Sequence, residues 1–161
     1  MTVLTGTKVI ELASDASALA GKLLADMGAD IVLVEPPSGA AARAYPPFLD
    51  DEPGPERSLH WWHFHTSKRG VTLDLESEAG QELFERLVSG ADILIDAEPA
   101  GRLAALGIGY GKLAEANPGL VLAAITSFGQ ASERRNDPVT DLTLLAGGGP
   151  VWSCGYDDHS L

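Results

Sequence analysis

Trp61-Trp62-His63-Phe64-His65 sets two imidazoles two positions apart. On a strand that spacing turns both rings to one side, where they could share a metal ion. A metal site needs three or four converging ligands, and no second cluster with ligand spacing accompanies this one. The stretch is therefore expected to supply core or pocket aromatics, and no metal is expected. Cys154 lies in a Gly-flanked stretch with His159 nearby, the elements of a Cys-His nucleophile. A lone cysteine more often serves as a small apolar group. Gly107, Gly109 and Gly111 precede Lys112 in a phosphate-loop-like run. A dinucleotide loop has to follow a strand directly and open a helix. These glycines come about ten residues after the apolar run "DILID", behind the turn "GRLAAL". The first strand-to-helix junction, "ELASDASALAG", has no Gly-x-Gly, so NAD is not an expected ligand of that loop. Upstream, Asp96 and Glu98 in "DAEPAG" set acids where a phosphate would want a cation.

The elements that must position these groups alternate. "TKVIELA" is a β-type run, and "SDASALAGKLLADMGA" turns helical, with Ser14 or Ser17 as its cap. Leu19, Leu23 and Met27, widened by Ala20 and Leu24, give its expected apolar stripe. "DIVLVE" follows as a buried strand. Residues 36–56 hold six prolines and make a long irregular excursion, extending to about residue 66, that cannot be regular helix or central strand. "GVTLDL" is a strand, Ser77 caps a helix whose buried face is Leu83, Phe84, Leu87 and Val88, and "DILID" and "LVLAAITSF" are further strands. Repeated β-α-β units predict an α/β fold: a Rossmann-like, doubly wound, mostly parallel sheet with flanking helices. That order alone also leaves a nicotinamide-dependent enzyme open.

The 161 residues suit one domain, 45% apolar and 21% charged. No apolar run is long enough to span a bilayer, and the first residues lack the layout of a signal peptide. With one cysteine, the expected compartment is the cytoplasm. The formal net charge of −12, from 23 acidic and 11 basic residues, argues against nucleic acid or an anionic membrane as partner. A small anionic ligand needs only a few basic residues gathered locally.

Three stretches carry a resemblance: "VIELASDASALAGKLLADMGADIVLVEPPSGAAAR", "SKRGVTLDLESEAGQELFERLVSGADILID" and "LGIGYGKLAEANPGLVLAAITSFGQ". Together they resemble the N-terminal part of the family III CoA-transferases, the CaiB/BaiF group that includes formyl-CoA transferase and α-methylacyl-CoA racemase. The resemblance implies a Rossmann-like domain, coenzyme A or an acyl-CoA as ligand, a small carboxylate as co-substrate, and an interlocked homodimer. It implies a transferase in which an aspartate attacks the donor thioester. That aspartate is expected in a Gly-Asp segment beyond residue 161, so Asp157 and Asp158 are not it, and the chain alone is expected to be inactive.

By the same resemblance, Lys68-Arg69 fits a family Lys-Arg pair that could meet CoA phosphates, or else forms an exposed basic pair. Arg43 matches a family arginine. Pro36 stands where some relatives place an adenine-stacking arginine. Where the family commonly reads Asn-aromatic-x-Pro-Gly to hold CoA, this chain has Ala97-Glu98-Pro99-Ala100-Gly101, with Arg102 adjacent as possible compensation. Asp141 matches the Asp of the racemase His-Asp pair and is the remaining catalytic candidate. Thr140 replaces the His, and has no pKa suited to proton abstraction. The transferase Tyr and Gln are replaced by Thr140 and Leu145. Those losses raise a second expectation, a degenerate, non-catalytic domain used in assembly or weak CoA binding.

Overall fold

A computed structural model of the chain describes residues 2–153. Strand β1 (Lys8–Leu12) leads through Ser14, whose side chain caps helix α1 (Asp15–Asp26), to β2 (Asp30–Glu35). Next come α2 (Leu59–His65), β3 (Arg69–Thr72), α3 (Glu78–Val88) and β4 (Ile93–Asp96). Two short helices, α4 (Arg102–Ala105) and α5 (Tyr110–Ala116), precede β5 (Val121–Ala124), and α6 (Asp141–Gly147) closes the series. The strands form one sheet in the order β3-β2-β1-β4-β5, and every pairing is parallel. The α/β, doubly wound expectation holds, and the described sheet is wholly rather than mostly parallel.

Side-chain alternation divides the sheet between two helical layers. Ile10, Leu12, Val34 and Leu94 face α3 to α5 and pack with Phe84, Val88, Leu103, Ile108 and Leu113. Val9, Ile31 and Ile95 face the other way, against Ala25 and Ala29 of the α1 hairpin. Leu33, on that same side, packs with Ala42 and Trp61.

Three local expectations are corrected. Residues 61–65 are helical, not extended: Ser58 caps α2 by accepting the Trp61 N–H at 3.1 Å. A helix turns two positions through about 200°, so His63 and His65 do not share a side. In α1 the face on the sheet is Ser17, Ala18, Gly21 and Ala25. Leu19, Leu23 and Met27 stand at 54%, 52% and 43% exposure. The small residues let the helix descend onto polar groups beneath it, and the larger stripe rotates outward. On α3, Phe84 and Val88 are buried and Leu87 partly so, but Leu83 is exposed.

Residues 36–56 of the Pro-rich excursion are irregular, as expected, yet ordered by side chains, whereas its far end, expected to be irregular to about residue 66, is helical as α2. The irregular part carries two 3₁₀ turns, Ala41–Ala44 and Leu49–Asp51. The fully buried Ser58 shares its O–H between the carbonyls of Tyr45 (2.6 Å) and Ala42 (3.2 Å). No helix among the described residues is long and apolar enough to cross a membrane.

Candidate functional site

In an open parallel sheet, ligands lie outside the carboxyl ends of the strands, near the point where strand order reverses. Here that reversal falls between β1 and β4. A cleft of about 310 Å³ opens there, walled by Leu12 and Ala13 at the end of β1, Glu35 to Pro37 at the end of β2, Leu73 to Glu76 after β3, and Glu98 and Arg102 after β4. Pro36 and Glu98, far apart in sequence, thus face one space.

Arg102 sits at its rim between two carboxylates, with Nη2 2.7 Å from Glu76 and Nε 3.0 Å from Glu98. Burial raises the Glu98 pKa; Arg102 opposes this, and Asp96 and Glu76 add to the rise. Asp96, buried at the end of β4, is likewise raised by burial, while the Glu98 N–H it accepts at 2.9 Å works against that.

Arg43 points back from the excursion. Its Nε and Nη2 hold both oxygens of Glu35 at 2.6 and 2.8 Å, its Nη1 reaches Glu56 at 2.7 Å, and its guanidinium lies 4.0 Å over the Trp61 ring. Burial pushes the Glu35 carboxyl up, but the Arg43 fork and the Ala40 N–H bring it below its ordinary range. Arg43 therefore ties the excursion to β2.

The Lys68-Arg69 pair is split. Lys68, 1% exposed, points under α1 and meets Glu11 of β1, 0% exposed, at 2.8 Å. Burial draws the lysine down and the glutamate up, each opposed by the other; Ser17 Oγ also donates to Glu11 at 3.0 Å. Arg69 turns to the amino ends of the strands, 67% exposed, and forks onto Asp30 at 2.7 and 2.9 Å. Neither lines the cleft, so the exposed-pair alternative fits Arg69 and neither alternative fits Lys68. Replacing Arg69 with alanine is expected to change stability by no more than about 1 kcal/mol, as read by urea unfolding.

Asp141 opens α6 on the surface and lines neither wall of the cleft; Thr140 caps that helix through a reciprocal bond set with Thr143. Cys154, Asp157, Asp158 and His159 lie outside the described residues. Among the described residues no group of three or more His, Cys, Asp or Glu side chains converges as a metal site would. Glu11 is the group that sequence reasoning passed over. Its signal was an acid centred in an apolar strand, which has to find a buried cation.

The fold and cleft define a doubly wound α/β domain with an opening of about 310 Å³ at its switch point. A family model described as CoA-transferase family III matches residues 4–160, and the chain belongs to that family. It is 36% identical over 150 residues to the succinyl-CoA:(R)-benzylsuccinate CoA-transferase subunit BbsE of Thauera aromatica, covering 93% of this chain and 37% of that protein. It is 41% identical over 131 residues to a succinate–glutarate CoA-transferase of Agrobacterium fabrum, covering 79% of this chain and 33% of the relative. Among solved structures, a CAIB/BAIF family protein from Brucella suis superposes with a TM-score of 0.82 at 36% identity, over 92% of this chain and 39% of that one. A hypothetical protein from Mycobacterium tuberculosis gives 0.84 at 28% identity, over 99% and 43%. The chain thus spans well under half the length of these relatives.

Proposed function

We propose that the chain forms the nucleotide-end half of an acyl-CoA site in an acyl-CoA:carboxylate CoA-transferase, with a small carboxylate as acceptor. The observation that carries this reading is the convergence of Pro36 and Glu98 on one cleft at the switch point. Both positions answer to CoA contacts by resemblance, though neither was adjacent to the other in sequence. In this reading the nucleophilic aspartate comes from a segment outside residues 1–161. Arg102 is the cleft's phosphate-seeking cation, Arg43 acts by holding the β2 wall, and the enzyme works as a cytoplasmic homodimer. The exposed Leu19, Leu23 and Met27 row on α1 supports assembly.

One observation favours the second reading, a non-catalytic domain for assembly or weak CoA binding. Arg102 is already engaged by two carboxylates, and a ligand phosphate has to displace at least one. The two readings part on a longer protein carrying the downstream segment. A transferase moves CoA from succinyl-CoA to a free carboxylate; the non-catalytic domain binds CoA weakly and moves nothing. If neither that protein nor this chain takes up CoA in calorimetry, the transferase reading fails and the assembly reading alone stands.

Restoring the family's amide and aromatic, Ala97→Asn with Glu98→Phe, is expected to tighten CoA binding about tenfold. It removes an anion from the cleft and frees Arg102 from one partner. An unchanged or weaker Kd in calorimetry would contradict the placement of CoA in this cleft.

A further inference from the structure

A second, smaller cavity of about 200 Å³ opens beside the β1–α1 junction, lined in part by Ser14, Asp15, Trp61 and His65. It shares Ala13, Ala40 and Ala41 with the cleft, so a flexible arm attached to a ligand in the cleft can reach it. His65 is the informative wall. Its ring is packed on Trp61 at 3.9 Å between centroids, and its Nδ1 lies 3.3 Å from Lys68 Nζ.

The Lys68 ammonium has three N–H groups and no lone pair. It meets three acceptors: Glu11 at 2.8 Å, the Ala18 carbonyl at 3.1 Å and His65 Nδ1. Nδ1 must therefore carry the lone pair, and the neutral ring carries its proton on Nε2. Burial, then the Lys68 charge, bring the His65 pKa down to about 4; Glu35 opposes this, and Arg43 and His60 add to it. Imidazole neutrality is thus held through the physiological range. Among the described residues no hydrogen bond engages Nε2.

We propose that His65 presents Nε2–H as a donor to the carbonyl oxygen of an acyl-thioester arm lodged in this small cavity. This rests on the CoA-transferase reading above. A carbonyl is favoured over a free carboxylate because Asp15, bound by the Tyr45 hydroxyl at 2.7 Å, already sets a negative charge in the same cavity. A neutral oxygen takes the hydrogen bond without that repulsion. Lys68 is then a positioning residue, acting on the ligand only by fixing the imidazole tautomer.

Nitrogen-15 NMR of the histidine-labelled chain tests the tautomer directly. His65 is expected as the Nε2–H form from pH 5 to pH 8; an Nδ1–H form overturns the proposal. S-acetylpantetheine, the arm without the nucleotide, is expected to shift the His65 Nε2–H resonance, and acetate to shift it less. A larger response to acetate overturns the assignment to a carbonyl. His65→Phe keeps a ring on Trp61 but has no donor, and is expected to weaken S-acetylpantetheine about tenfold, while His65→Gln, which retains a donor, stays within about threefold. Equal affinity in the phenylalanine variant overturns the proposal. Adenosine 3′,5′-bisphosphate separates the two readings. If it binds while the thioester arm leaves His65 unmoved, the His65 role falls and the CoA cleft stands; if neither binds, both fall.

Discussion

Exchanging Lys68 for methionine is expected to destabilise the domain by about 3–5 kcal/mol, read as a fall in the urea midpoint. The loss comes less from the missing bond than from what stays behind. Glu11 at 0% exposure would keep its carboxylate under α1 with no counter-charge. Against a typical total of about 5–15 kcal/mol, that is a large share. Exchanging both partners, Glu11→Leu with Lys68→Met, is expected to recover most of the loss, because two apolar side chains leave no charge to desolvate. The methionine variant should also acquire a pH signature. Without the lysine, burial sets the Glu11 carboxyl against only the Ser17 hydroxyl, and its folded pKa then lies above its unfolded one. Between those two values the folded state binds the extra proton, so the variant loses stability as pH rises through that window. A single variant within about 1 kcal/mol of the parent, with no pH signature, would mean that Glu11 reaches water.

Gly21→Ala is the second large effect, and its sign opposes helix propensity. Alanine in a helix interior ordinarily gains about 1 kcal/mol over glycine. A Cβ at position 21 would stand 1.9 Å from Glu11 Oε2 and 2.7 Å from Lys68 Nζ. Both ends of the pair are buried and held in place, Glu11 by the Ser17 hydroxyl at 3.0 Å and Lys68 by the Ala18 carbonyl at 3.1 Å, so a shift of either breaks a buried bond. The helix has to lift instead, which costs about 1–3 kcal/mol in lost packing. Thermal unfolding of the alanine variant decides the matter: a raised Tm would show that α1 does not rest on the ion pair.

Much of the fold was legible because its signals are local. Continuous apolar runs, Ser14 and Ser77 as caps, and glycine-ended helices mark the β-α alternation without any long-range knowledge. The misses share a cause. Trp61, Trp62 and Phe64 have strand-like propensities, but the Ser58 hydroxyl and the docking of Trp61 against Leu33 settle the segment as helix. In α1 the largest residues were read as the buried ones, although burial followed the smallest, because a polar pair lies beneath. Lys68 looked like a surface cation for the same reason: its partner is far back in β1, and no spacing rule connects them. Of the cleft's walls, family motifs in the sequence mark the Pro36 and Glu98 positions, and Arg102 only stands beside a motif. The double hold of Glu76 and Glu98 on Arg102 depends on two loops meeting in space, which sequence alone does not encode.

Ser58 has a consequence for the length of the chain. By gathering the carbonyls of Ala42 and Tyr45 it brings the two ends of residues 46–57 together, and Leu59 N–H closes the same neck on the Pro47 carbonyl at 2.9 Å. The stretch beyond is an Ω-shaped appendage whose entry and exit are already joined. Loops of this kind accept deletion, insertion or new termini with little change to the body they leave, because the closure entropy depends only weakly on length. The excursion is where this architecture can vary in size, and where a reporter could be grafted without disturbing the cleft's strands.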